Sequence, residues 1–242
     1  MTARDVAIRI DRIEKLFGGL RPLRVTDFTL RADECVAVTG MDAANAEVLV
    51  NLLTGATLPD EGAIAVFGQP TSAISDPDQW LASLDRFGLV SSRAVLVEEL
   101  SAAANIATAM TLTVEPMPAD VLARVHHLAA EVGVPADRLD VPVGHLDPGL
   151  RACCHLARSL ASGPRLLVLE HANALAGDRA LAFGGVVADV ARRRRLPMLA
   201  LTADGDFAHV VAPRVLRLDP ASGRLRNDSG WRGWWRRGIG KA

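Results

Sequence analysis

The sequence predicts an α/β fold, and three apolar segments carry that prediction. Residues 35–39, 166–169 and 198–202 are short, almost wholly apolar runs, as expected of strands buried within a sheet. The first run is followed by a turn that opens at Gly40 and by an amphipathic helix that reaches Leu53, with Gly55 as its C-terminal stop. This succession of strand, turn and helix is the architecture of a phosphate-binding loop.

Alternating segments precede and follow this first unit. Residues 6–10 and 23–30 alternate apolar and polar side chains, which predicts two antiparallel strands. Residues 63–68 predict another edge strand, because they follow a turn rich in Pro, Asp and Gly. A short helix at 78–85 and a strand-like segment at 87–90 come next.

The second half of the chain alternates helices with buried strands. From residue 98 to about 143 the sequence is Ala-rich, helical in pattern and interrupted by prolines, which predicts a helical insertion in the α/β core. A helix at 150–160 precedes the second buried strand, and a helix at 179–195 precedes the third. The four arginines that end the latter, Arg192 to Arg195, are interpreted as a solvated helix end that complements the helix dipole. A short helix at 207–211 and a hairpin formed by 215–218 and 223–225 complete the fold.

Composition limits the possible functions. The 242 residues suit one large domain, and 27 basic against 28 acidic residues give no field that would attract nucleic acid. Three cysteines, two of them adjacent, provide neither a disulfide framework nor a metal-ligand spacing, so no metal site is expected and a reducing cytoplasm is predicted. The N-terminus lacks the apolar run of a signal peptide, and no apolar stretch approaches the ~18 residues of a membrane span.

The predicted phosphate-binding loop has lost its chemistry. A nucleotide-binding loop reads G-x-x-x-x-G-K-[ST], and here Asn45, Ala46 and Glu47 stand at the last three positions. Ala46 supplies no positive charge, Glu47 places a carboxylate where phosphate oxygens would lie, and Asp42 adds a second one. Asn45 can adopt positive φ only at a cost that glycine avoids. The sequence therefore predicts a site whose electric field is reversed.

The order of these segments resembles the ATP-binding (nucleotide-binding) subunit of ABC transporters over residues 6–226. Three segments carry the resemblance: "VAVTGMDAANAEVLVNLLTGATLPDEGAIAVFGQP", "LDPGLRACCHLARSLASGPRLLVLEHANALAG" and "MLALTADGDFAHVVAPRVLRL". It implies a P-loop NTPase-like ABC ATPase core with an antiparallel β-subdomain and a helical subdomain at about 91–160. Residues 227–242 would form a separate tail rich in Trp and Arg.

The resemblance also assigns positions to the ATP site. Phe17 stands where the family stacks an aromatic ring on adenine. The phosphate loop would comprise Gly40, Met41, Asp42, Ala43, Ala44, Asn45, Ala46, Glu47 and Val48. The signature motif, whose serine and glycine amides contact the partner subunit's nucleotide in the family, would comprise Leu146, Asp147, Pro148, Gly149 and Leu150.

The remaining family positions are altered as well. Ser91-Ser92 stands at the glutamine loop, which senses Mg²⁺ and relays to the membrane domain. Glu170 stands at the Mg²⁺-organising aspartate and His171 at the glutamate that positions the attacking water. Ala203 replaces the switch histidine, and residues 174–177 replace a loop that ends in aspartate. No catalytic residue is therefore expected.

These substitutions favour a degenerate ABC transporter ATP-binding subunit that acts as a non-catalytic structural or regulatory partner. ATP and Mg²⁺ are implied as cofactors by resemblance, with binding expected to be weak or absent. A permease subunit is the expected membrane partner, reached through residues 91–100 and the helical insertion. The second subunit would be either a copy of this chain or an intact ATP-binding subunit, at the inner face of the cell membrane. The alternatives are an active ATP-hydrolysing subunit with unconventional motifs and a stand-alone binding module.

Other reactive residue types have plainer interpretations. His126 and His127 are predicted to be exposed on a helix, and Cys153 and Cys154 to be packed within one. His155 and His209 are expected to be structural. The tail has tryptophans interleaved with arginines at 231–237, which suits a membrane interface, a partner groove or a fold-back onto the domain equally.

Overall fold

A computed structural model describes residues 6–18 and 21–228 of the chain. Its larger sheet has six strands in the order β10-β9-β3-β8-β7-β6, and β10 is the one antiparallel member. The predicted α/β fold is therefore confirmed. These strands are β3 (Cys35–Thr39), β6 (Phe87–Ser91), β7 (Leu166–Glu170), β8 (Met198–Leu201), β9 (Arg214–Asp219) and β10 (Arg224–Asn227).

A smaller antiparallel sheet has the order β2-β1-β4-β5. Its strands are β1 (Val6–Lys15), β2 (Leu23–Arg31), β4 (Glu61–Val66) and β5 (Gln69–Pro70). The prediction that residues 63–68 form an edge strand is wrong, because β4 lies between β1 and β5. Phe67 (φ 50) and Gly68 (φ 79) both have positive φ, which reverses the chain in a two-residue turn and returns Gln69 and Pro70 along β4.

Eight α-helices connect these strands in the described part of the chain. They are α1 (Ala43–Leu53), α2 (Pro77–Leu84), α3 (Ala102–Ala107), α4 (Ala119–Glu131), α5 (Pro148–Leu160), α6 (Asn173–Ala176), α7 (Ala180–Arg194) and α8 (Gly205–Val211). Within these residues, none of the helices combines the length and apolar character needed to cross a bilayer.

The large sheet separates two apolar clusters. Along β7, Leu166 and Val168 face the cluster that contains α1 and the small sheet, whereas Leu167 and Leu169 face the cluster that contains α3, α4, α5, α7 and α8. This alternation follows from the two-residue period of a strand. Because both faces are covered, the central strands are buried throughout, as the sequence predicted.

The arginine-rich end of α7 differs from its prediction. Arg194 is only 26% exposed and forms two short bonds with the Glu131 carboxylate at 2.5 and 2.7 Å. Hydrogen bonds from Arg194 lower the pKa of Glu131 below its ordinary value. The end of α7 is therefore fastened to α4, while Arg192, Arg193 and Arg195 are exposed as expected.

Candidate functional site

The carboxyl ends of the parallel strands bring the predicted site residues to one edge of the large sheet. β3 ends at Thr39 before the turn at Gly40, and β7 ends at Glu170 before His171. Ser91, the last residue of β6, pairs with Glu170 in the parallel register. Open α/β sheets bind ligands at this edge, because successive loops converge there.

The turn between β3 and α1 is short and closed by its own side chains. Gly40 has φ +80, and a Cβ at this position would lie 2.6 Å from the Leu218 carbonyl oxygen, so the turn requires glycine. Asp42 caps α1, and its Oδ1 accepts from the Asn45 backbone N at 2.8 Å and from Asn45 Nδ2 at 2.9 Å. A carboxylate of this chain therefore lies at a helix N-terminus, a position that attracts anions.

The first turn of α1 already contains the residues that replace the nucleotide-binding motif. Asn45 lies within this helix and does not have positive φ, so it avoids the cost of that conformation. Ala46 is fully buried and packs in the apolar cluster beside the small sheet. Glu47 is exposed on the side of α1 that faces the end of β7, where it pairs with Arg93.

Arg93 is the central cation of the site. Its guanidinium donates to the Glu170 carboxylate from Nε at 3.0 and 3.2 Å and from Nη2 at 2.6 Å. Nη1 lies 3.5 Å from Glu47 Oε1 and donates to Asn51 Oδ1 at 3.5 Å. Hydrogen bonds to Glu170 raise the pKa of Arg93, and the charge of Glu47 adds to the effect.

Sequence reasoning missed Arg93, although a signal for it exists. Glu47 and Glu170 replace a hydroxyl and an aspartate at two positions that the resemblance places around one ion. Two carboxylates at such positions repel each other unless a cation lies between them. Arg93, next to the Ser91-Ser92 pair, is the cation that the chain offers close to the end of β6.

His171 is held in an uncommon conformation. It has φ +46, and its backbone N donates to the Leu201 carbonyl at 2.8 Å. Its Nε2 is buried, and no described residue offers that atom a hydrogen bond. Nearby, Thr202 donates to Asn173 Oδ1 at 3.0 Å, while Ala203 is exposed and carries no functional group.

The signature positions lie at the start of α5, apart from the β3–α1 turn. Asp147 caps this helix by accepting from the Leu150 backbone N at 3.1 Å, and Pro148 is the first helical residue. Leu146 is buried beneath the cap. A Cβ at Gly149 would lie 3.0 Å from Arg179 Cβ, so this glycine allows a close approach of the next segment. The Asp147 carboxylate therefore caps α5.

Phe17 and the β3–α1 turn share one pocket of about 420 Å³. Phe17 is half-buried beside the small sheet, and Gly40, Asp42 and Asn45 form the opposite part of the lining. Among the residues that the structure describes, no three His, Cys, Asp or Glu side chains come together as a set of metal ligands.

Four of the other histidines and cysteines have the burial that the sequence predicted. His126 and His127 are exposed on α4. Cys153 and Cys154 are buried in α5, and burial raises the pKa of their thiols to about 11 and about 12. The predicted Trp/Arg-rich tail falls outside the described residues from residue 229 onward.

The fold is that of the ATP-binding cassettes of the P-loop class. The chain superimposes on the ATP-binding cassette MJ0796, solved as a dimer in a post-hydrolysis state with ADP and Pi, with a TM-score of 0.71, 16% identity and coverage of 91% of this chain and 97% of that one. It also matches cbiO1 from Clostridium perfringens, part of the cbiONQ ABC transporter complex, with a TM-score of 0.73, 17% identity and coverage of 92% and 87%.

Sequence comparison gives the family. The family model described as ABC transporter matches residues 23–174. The aliphatic sulfonates import ATP-binding protein SsuB 1 of Nocardia farcinica is 30% identical over 221 residues, which cover 90% of this chain and 80% of that protein. The ribose import ATP-binding protein RbsA of Rhodopirellula baltica is 29% identical over 181 residues, which cover 72% of this chain but only 34% of that protein. The chain belongs to the ABC transporter family and is related to its ATP-binding subunits.

Proposed function

We propose that this chain is a non-catalytic ATP-binding-type subunit that supports or regulates a membrane transport complex. Its relatives are named import ATP-binding proteins, which supports a place in an import system. Its partners would be a permease and a second subunit, either another copy of this chain or an intact ATP-binding protein. It would act at the inner face of the cell membrane.

The observation that carries the proposal is that a carboxylate and a guanidinium of this protein take the positions of the phosphate and of the Mg²⁺. The Asp42 carboxylate caps the helix start that would receive phosphate. The Arg93 guanidinium neutralises Glu170, the carboxylate that would organise Mg²⁺. Phosphoryl groups bind where N–H groups and cations are free to receive them. ATP would therefore have to displace Asp42 while it approached the further carboxylate of Glu47.

Hydrolysis is disfavoured by the same geometry. Phosphoryl transfer depends on positioning and on neutralising the charge of the transition state. Losing one such contact in a preorganised electrostatic site commonly raises the barrier by about 2.7–4 kcal/mol, and Ala46 and Glu47 each remove one. His171 offers no substitute base in this conformation, since its Nε2 is buried and therefore inaccessible to an attacking water.

Contact with a permease is supported by exposed apolar side chains in the segment between β6 and α3 and in the connection between α3 and α4. Val95 is 70% exposed and Val97 48%, both in the segment that follows Arg93. Leu112, between α3 and α4, is fully exposed. Exposed apolar residues that lie close together are typical of a protein interface, and Val95 and Val97 are two residues apart in the chain.

A dimer would not restore the activity of two such copies. Family members build each site from the phosphate loop of one subunit and the signature of the other. In a homodimer both halves of each site carry the changes at Asn45, Ala46 and Glu47 or at Asp147 and Pro148. Paired with an intact subunit, this chain would still alter one half of each site.

The decisive experiment is a calorimetric titration of the full chain with Mg-ATP, together with an ATPase assay. We expect no saturable heat up to millimolar nucleotide and no turnover above buffer, while an intact ABC subunit in the same assay gives both. Turnover that is lost in Glu170→Gln or His171→Ala would refute the proposal and establish an active enzyme. Phe17→Ala would test whether any nucleotide binding uses the pocket beside the β3–α1 turn.

Membrane partnership is tested separately by fractionation of cells that express the tagged full chain. We expect the chain in the membrane fraction, and Val95→Asp/Val97→Asp to shift it to the supernatant. Leu181→Asp is the matched control, because Leu181 is 50% exposed on α7, outside residues 91–100, the segment that contains Val95. Recovery of the unaltered chain in the supernatant would favour the stand-alone binding module.

A further inference from the structure

One arginine connects three separate elements at the edge of the large sheet. The Arg93 guanidinium contacts four oxygen atoms, which are both carboxylate oxygens of Glu170, Oε1 of Glu47 and Oδ1 of Asn51. Glu47 and Asn51 lie one turn apart on α1, and Glu170 ends β7. Arg93 itself belongs to the segment that leaves β6.

Burial makes the Arg93–Glu170 pair the strongest of these contacts. The Glu170 side chain is 7% exposed, whereas Arg93 is 37% and Glu47 48% exposed. A buried carboxylate without a partner is strongly unfavourable. Glu170 therefore requires a cation in this position, and the planar guanidinium meets both of its oxygens at once.

The segment that follows Arg93 is held from within the chain as well. Arg158 of α5 donates from Nη1 to the Val95 carbonyl at 2.8 Å and from Nη2 to the Ala94 carbonyl. Asn105 of α3 accepts from the Val97 backbone N at 2.8 Å and donates to the Val97 carbonyl at 3.0 Å. This segment is also the one that exposes Val95 and Val97.

We propose that Arg93 is a built-in counter-cation that fixes residues 91–100 against α1 and β7, so that their conformation does not depend on a bound nucleotide or metal ion. The inference deepens the proposed function, since it assigns to the altered site the permanent ordering of the surface offered to the permease. Arg93 is a positioning residue. A ligand would order residues 91–100 only while it is bound, whereas Arg93 is part of the chain and orders them at all times.

Amide hydrogen exchange of the full chain tests this role. Arg93→Ala is expected to raise exchange in residues 91–100 and at the end of β7 by roughly tenfold or more, which corresponds to about 1.4 kcal/mol. Arg24→Ala is the matched control, because Arg24 is 46% exposed and pairs with Glu14 at 2.7 Å in the small sheet, outside residues 91–100. Exchange in Arg93→Ala that equals the unaltered protein overturns the proposal.

A double-mutant cycle separates a counter-cation from a merely well-packed side chain. Removing the charge of Glu170 removes the need for Arg93, so Arg93→Ala/Glu170→Gln should exchange no faster than Arg93→Ala alone. Additive effects of the two changes would overturn the proposal. If Arg93→Ala does not fold, Arg93→Lys serves instead, with an intermediate effect expected because lysine cannot make the two parallel bonds.

Measurements with Mg-ATP separate the test of Arg93 from the test of the proposed function on which it rests. Mg-ATP should leave exchange at 91–100 unchanged in the unaltered protein, and a nucleotide-dependent change there overturns the role of Arg93. ATP turnover by the unaltered protein without such a change would contradict the proposed non-catalytic function and leave the role of Arg93 supported.

Discussion

Replacing Asp42 by alanine should both weaken the fold and open an anion site. The Asp42 carboxylate makes two hydrogen bonds, at 2.8 and 2.9 Å, to the start of α1. Loss of an N-cap typically destabilises by about 1 kcal/mol, and loss of a negative charge at a helix N-terminus adds about 0.3–1 kcal/mol. We expect a loss of about 1.5 kcal/mol, which lowers Tm by about 3–6 °C for a domain of this size.

Thermal unfolding with and without inorganic phosphate measures both effects. Asp42→Ser keeps an oxygen that can cap the helix, so it should lose less than half as much stability as Asp42→Ala. Phosphate should stabilise Asp42→Ala more than the unaltered protein, because it binds the backbone N–H groups that the carboxylate has left. Equal stabilisation by phosphate, or an Asp42→Ala protein as stable as the original, would refute the idea that Asp42 replaces an external anion.

Three further predictions follow from buried ionisable groups. Burial lowers the pKa of His155 from 6.5 to about 4. The free energy of unfolding should therefore be unaffected by this group above pH 6.5 and should fall by about 3 kcal/mol as the pH drops towards 4, because the unfolded chain binds a proton there first. Unfolding curves of His155→Gln should lack this pH dependence. Hydrogen bonds from Arg194 lower the pKa of Glu131 from 4.5. The unaltered protein should therefore be more stable than Glu131→Gln above pH 4.5, and this difference should shrink as the pH falls through the pKa of the folded state. A difference that does not change with pH in denaturant titrations would contradict this. With pKa values of about 11 and about 12, Cys153 and Cys154 should resist iodoacetamide at pH 8 until denaturant is added, and fast native labelling detected by mass spectrometry would contradict their burial.

The elements that bury apolar residues on a regular period could be predicted from the sequence. β3, α1, β7 and β8 lie within one or two residues of their predicted bounds, because an apolar run or a stripe at helical spacing has few other ways to leave water. The edge assignment of β4 failed for a different reason. Whether a strand is an edge depends on what the chain does afterwards, and here a two-residue turn at Phe67 added β5 beside it.

Long charged side chains were the least predictable part of the site. Arg194 was predicted as part of a solvated helix end, and no role was predicted for Arg93. Their partners, Glu170 and Glu131, are distant in sequence, at separations of 77 and 63 residues. Local patterns therefore could not predict that Arg93 lies between Glu47 and Glu170.

The substitutions at the site depend on one another electrostatically. Reverting Glu47 or Asn45 alone would leave Arg93 on Glu170 and Asp42 on the helix start, so both ligand positions would stay occupied. Removing Arg93 alone would leave Glu47 and the buried Glu170 facing each other without a cation, at a loss of stability. Freeing the Glu170 carboxylate for another cation therefore requires a change at Arg93 that destabilises the fold.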